Sequence, residues 1–253
     1  MDLRDDETGR ALRSVLAQPK RLALLAYLAL ARPRGAYERD TLLALFWPEA
    51  SESRARNALN QALFFLRRRL GDEAIRSVGT ALELDRERVW CDAVAFGARR
   101  ETEPRAALEL YRGELMRGFH LSGCPGFERW LDGERERLRG LAVETALDLA
   151  AREAGADNAV GAVSWSRKAA RWAPYQERVA RELITRLEEA GDLSGALKAF
   201  EAVRRRCVQE LGSAPGGEVQ GIADGIRRRM RSEAPSGDAD PRPRTVGGGP
   251  GSP

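Results

Sequence analysis

One histidine, three cysteines and no long apolar run set the first limits on what this 253-residue chain does. His120, in the segment Gly118-Phe119-His120-Leu121, has no second histidine with which to build a metal site or a proton relay, so a bystander is the plainer reading. Cys91, Cys124 and Cys207 stand far apart without a CxxC spacing, which argues against both a disulfide framework and a thiolate zinc site. Cys124, between Gly123 and Pro125, would be reactive if a neighbouring arginine lowered its pKa, but an ordinary turn cysteine is commoner. No phosphate-cradling glycine motif occurs in a strand-to-helix context. Catalysis, a cofactor and a metal are therefore not expected. The most apolar stretch, Leu22 to Ala31, ends after ten residues, against the roughly 20 that a bilayer needs. Met1 is followed by acidic residues instead of a basic start and an apolar core, so a secretory signal is not expected either. These absences point to the cytoplasm.

What remains is a polar chain rich in arginine. Charged residues make up 32% and apolar residues 43%, the mean hydropathy is −0.46, and the net charge is +4. A positive excess carried by arginine suits phosphate, although it also suits many solvated surfaces. The length fits two ordinary domains. The stretch 235–253 holds five prolines in 19 residues and few apolar side chains, as expected of a disordered tail.

The first third reads as helix, helix, long helix and hairpin. Pro19 precedes an apolar helix over 21–30 that Pro33-Arg34-Gly35 ends, and a second helix spans 38–46 before Trp47-Pro48. A third, capped by Ser51 or Ser53, runs to Leu70 with Gly71 as its stop. Residues 74–90 alone read as extended, around Gly79. This is winged-helix order. Beyond Asp92 helices dominate, and Ala162 and Ala196, each following a Gly/Asp turn (Gly155-Ala156-Asp157 and Gly191-Asp192), stand one tetratricopeptide period apart. The register is imperfect, because Gly155 lies further from its alanine than Gly191 does.

The third helix carries the chemistry. At 100° per residue, Ala55, Leu59, Ala62, Leu63, Leu66 and Leu70 share one face, the expected core stripe. Arg54, Asn57, Gln61, Phe64 and Arg68 gather opposite, with Asn60 and Arg67 along one edge. Arginine pairs with guanine O6 and N7, and asparagine or glutamine with adenine N6 and N7, so this face suits major-groove reading. From Ser53 to Gly71 no carboxylate occurs, which avoids repelling phosphate. A polar helix face is more often merely solvated, but Phe64 on the polar side has no folding reason to be there. The hairpin would be the wing, with Arg76, Ser77 and Thr80 near its tip able to touch phosphate, or else an ordinary two-stranded edge. Lys20 and Arg21 would place phosphate at the start of the first helix, or form a solvated helix end.

These segments resemble a known family. The run from Lys20 to Leu30, then Glu38 to Glu49, then Ser53 to Asp72 with its hairpin, resembles the response-regulator-type winged helix of SARP-type antibiotic regulatory activators. The segments Leu110 to Phe119, Phe127 to Trp130, Glu134 to Leu138 and Ala190 to Gly212 resemble their bacterial transcriptional activator domain. The resemblance implies a mainly α protein: a winged helix-turn-helix domain over 1–91, a tetratricopeptide-like helical domain over 92–234, and a tail. It implies a recognition helix at 51–70 in the major groove of double-stranded DNA, with Arg54, Asn57, Gln61 and Arg68 at matching positions, and a wing at 74–90 on the backbone. It further implies a helical domain that mediates self-association as a homodimer or contact with RNA polymerase. The family usually opens with a small β-sheet, for which only Leu12 to Leu16 offers a strand here. The competing reading is an interaction scaffold whose repeat domain binds a partner and whose winged helix no longer binds DNA. Trp130, Trp165 and Trp172 would give the helical domain apolar contact surface, unless they are core.

Overall fold

The computed structural model describes residues 13–233. In chain order the first third comprises α1 (Arg13–Leu16), α2 (Pro19–Leu30), β1 (Tyr37–Glu38), α3 (Arg39–Phe46), α4 (Glu52–Leu70), β2 (Ile75–Val78) and β3 (Ala81–Leu84). Pro19 opens α2, where its missing N–H costs nothing. Gly71 ends α4 in a backbone conformation, φ +98°, that residues with a Cβ rarely adopt, and its N–H bonds the Arg67 carbonyl at 2.8 Å. Ser51 takes the N-cap position of α4, but its hydroxyl makes no capping bond, so Glu52 in the first turn is what complements the helix dipole.

The sheet has order β1-β3-β2, all antiparallel, with Tyr37 opposite Leu82 and Ile75 opposite Leu84. The hairpin lies where the extended stretch over 74–90 places it but is shorter, because β3 ends at Leu84 and residues 86–88 form a turn; β1 has no such signal, since two residues are too few to show alternation. Another expectation is corrected. Residues 13–16 form helix α1, not a strand, and Leu12 lies outside the described residues, as does the expected tail over 235–253. So short a segment, Arg-Ser-Val-Leu, does not distinguish the two states by pattern, and here Val15 is fully buried in the core formed with α2.

Helices make up the remainder: α5 (Asp92–Arg99), α6 (Pro104–Leu110), α7 (Pro125–Gly155), α8 (Ala159–Trp172), α9 (Glu177–Glu189), α10 (Leu193–Arg206), a π-helical turn (Cys207–Leu211) and α11 (Gly217–Glu233). From α7 to α11 successive helices pack on one another. The 34-residue repeat is explicit here. Asp157 and Gly191 both take positive φ, +57° and +77°. Asn158 and Asp192 then cap α8 and α10, accepting from the N–H of Gly161 at 3.0 Å and Gly195 at 2.8 Å. Ala162 and Ala196 follow, both buried. The sequence register looked imperfect because it paired Gly155 with Gly191, whereas the partner of Gly191 is Asp157, an aspartate able to adopt the left-handed turn.

The winged helix and the start of α7 share one core. Met116, Leu121, Cys124, Phe127 and Leu131 pack with Leu28, Leu42, Phe46 and Leu59. Phe127 is fully buried, its ring centroid 5.3 Å from both Phe46 and Trp130, and Trp130 meets Tyr27 at 4.8 Å. The Cys124 thiol donates to the Phe46 carbonyl at 3.3 Å, and a Cβ on Gly126 would stand 3.0 Å from Leu45. Trp165 and Trp172 line a second core with α6 and α7. All three tryptophans are half-buried against cores instead of forming free contact surface.

Candidate nucleic-acid interface

Helix α4 is positioned by its apolar stripe. Ala55, Leu59, Ala62, Leu63 and Leu66 are buried as the periodicity predicts, and Leu70 is half-buried. Burying each large aliphatic side chain contributes about 1.5–3 kcal/mol, so the rotation of α4 about its axis is firmly set. That rotation carries Arg54, Asn57, Gln61, Phe64 and Arg68 to solvent on one side, within about 80° of arc at 100° per residue. Phe64 is 67% exposed. An exposed aromatic ring flanked by amide and guanidinium groups is costly in water and suited to an apolar partner such as the thymine methyl.

The remaining predicted residues are tied to the fold. Asn60 is exposed, and its Oδ1 accepts from Arg39 Nη1 at 3.3 Å. Arg67 is half-buried: its Nε donates to the Ile75 carbonyl at 2.8 Å and its Nη2 to Ser77 Oγ at 3.3 Å, binding α4 to β2. Arg76 lies across the hairpin from Glu83, 4.0 Å away, and 3.6 Å from Asp85. Thr80, in the hairpin turn, donates to Glu38 at 2.8 Å and so fixes the wing to β1. At the start of α2, Lys20 Nζ lies 5.4 Å from the Trp47 ring centre and the Arg21 guanidinium 4.1 Å from that of Phe65. Both side chains are half-buried packing elements as well as cations.

The acid-free stretch is not wholly uncompensated, because carboxylates outside it reach in. Arg56 pairs with Glu52 at 2.6 Å and lies 3.8 Å from Asp40. Arg39 is the residue that the sequence pattern missed. It begins α3, and its Nη2 donates to Ser77 Oγ at 3.2 Å. Burial, and then the nearby Arg67 charge, hold its guanidinium below the ordinary arginine value. No periodicity could have found it, since its partners lie on two other elements. Between α4 and the wing runs an open groove of about 810 Å³, lined by Phe64, Arg67, Arg68, Arg76 and Ser77, with Asp72 and Glu73 also on its wall. Among the described residues no group of side chains could hold a metal ion, and no helix is long and apolar enough to cross a membrane.

Comparison with known proteins places this architecture. Residues 93–227 match the model of the bacterial transcriptional activator domain. The chain is 25% identical over 244 residues to the transcriptional regulatory protein MoaR1 of Mycobacterium bovis, covering 87% of this chain and 76% of that protein. It is 24% identical to MoaR1 of Mycobacterium tuberculosis over the same shares. Among solved structures, Mycobacterium tuberculosis EmbR in complex with a low-affinity phosphopeptide superposes with a TM-score of 0.63 at 22% identity over 87% of this chain. The matched region spans 62% of the EmbR chain. These matches bear out the resemblance to SARP-type activators and the expected fold, a winged helix followed by a helical repeat domain.

Proposed function

Because the chain belongs to the bacterial transcriptional activator domain family and is a transcriptional regulator, we propose that it acts by sequence-specific binding to double-stranded DNA and activates transcription. In this reading α4 enters the major groove and reads base edges through Arg54, Asn57, Gln61 and Arg68, with Phe64 against a thymine methyl. The wing lies along the backbone, where Ser77 and Arg76 face phosphate, and Lys20 and Arg21 flank it from the start of α2. The winged helix (1–91) supplies the DNA contacts. The helical domain (92–234) holds copies together or touches RNA polymerase, since one winged helix reads few base pairs and a second copy supplies the rest of the specificity.

The observation that carries the proposal is the exposed face of α4, where an arginine, amide and aromatic set stands directly opposite a buried stripe. A scaffold that had lost DNA affinity would have no use for that face, and this weighs against the scaffold alternative. The test is selection of duplexes from a random pool by the full chain, followed by binding at several salt concentrations. A recovered motif bound with a steep salt dependence supports the reading, because displaced counterions make affinity fall with salt. Recovery of no motif would refute it.

A further inference from the structure

Arg39 and Arg67 extend from different helices to the same hydroxyl. Their Nη2 atoms donate to Ser77 Oγ at 3.2 and 3.3 Å. Two guanidinium groups converging on one neutral oxygen is an unfavourable arrangement unless something negative completes it. Among the described residues neither has a carboxylate within 4.0 Å, although Arg56 and Arg76 nearby each do. Asp72 and Glu73 lie on the same groove but beyond that distance from both.

We propose that Arg39, Arg67 and Ser77 form a clamp for one phosphate of the DNA strand that passes between α4 and the wing. The clamp rests on the DNA-binding reading and adds Arg39 to it. Three features fit an anionic oxygen. With two donors already on its lone pairs, the Ser77 hydroxyl keeps its own proton to give. The bonds to neutral acceptors, Ser77 and Asn60, are long at 3.2–3.3 Å and hence weak, whereas ionised acceptors give shorter bonds of about twice the strength. Arg67 is also held in orientation through its Nε bond to Ile75 at 2.8 Å, so little side-chain freedom is lost on binding. Because Arg39 starts α3, Arg67 lies in the last turn of α4 and Ser77 sits in β2, one phosphate would join three separate elements of the winged helix.

The test uses the full chain and its selected duplex, in which single phosphates are replaced by neutral methylphosphonates. For the unaltered protein we expect one linkage whose neutralisation lowers affinity about tenfold or more and flattens the salt slope by about 0.9. Arg39→Gln should lose a similar factor on the unmodified duplex, become markedly less sensitive to that linkage, and keep its base preferences. Ser77→Ala on the exposed wing should show a smaller loss of sensitivity at the same linkage, and it decides the matter if Arg39→Gln does not fold. The clamp is overturned if the unaltered protein binds its motif while both variants retain its full sensitivity at every linkage. Failure of the unaltered protein to bind any duplex would instead overturn the DNA-binding reading on which the clamp stands.

Discussion

Replacing Phe127 by alanine should destabilise the winged helix from outside its own sequence. Phe127 is fully buried, and its ring lies 5.3 Å from Phe46, 5.3 Å from Trp130 and 6.2 Å from Phe119. Truncating such a ring costs about 3–5 kcal/mol, from lost transfer energy and the cavity left behind. That is a large part of the roughly 5–15 kcal/mol by which a typical domain is stable. At a urea slope of about 2–3 kcal/mol per molar, the midpoint should fall by about 1–2.5 M. The control is Phe64→Ala, the same deletion at a ring 67% exposed, which should move stability by no more than about 0.5 kcal/mol. Urea unfolding followed together by circular dichroism and tryptophan fluorescence reads both. On DNA the pair should invert: Phe64→Ala weakens binding with its stability intact, whereas Phe127→Ala weakens it only in proportion to the unfolded fraction. A loss below about 1 kcal/mol for Phe127→Ala, or an equal loss for Phe64→Ala, would refute the shared core.

Further outcomes follow from other contacts. A fragment of residues 1–91 lacks Cys124, Phe127 and Leu131 from its core, so it should show reduced helicity and melt without a sharp transition, while the full chain melts cooperatively. Asn158→Ala and Asp192→Ala each remove a helix cap, and each should cost about 0.5–2 kcal/mol in denaturant titrations; no loss from either would contradict the repeat assignment. If copies associate through the helical domain, the full chain should bind a two-site duplex more tightly than two separate sites, and equal affinities would exclude that role.

Local signals carried most of the fold. The core stripe of α4, its glycine stop and the turn of the hairpin at Gly79 depend on neighbours in sequence, and the structure has them where expected, although the hairpin ends at Leu84 and not at residue 90. What stayed hidden depends on distant partners. Strand β1 exists because Tyr37 pairs with Leu82, and Arg39 matters because Asn60 and Ser77 come to meet it. The segment Phe127 to Trp130 was legible as a family motif, but nothing local said that it fills the winged-helix core. Helical periodicity gave Arg67 as an edge residue, and the hairpin pattern gave Arg76 and Thr80 as wing residues, without disclosing that each is bonded within the fold.

The central claim is that the outward face of α4 reads sequence, and selection of duplexes by three proteins tests it most directly. The unaltered chain should return a defined motif; Asn57→Ala and Gln61→Ala should return motifs degenerate at one or two positions each, with about 1–3 kcal/mol of discrimination lost there. Identical motifs from all three proteins would contradict the account.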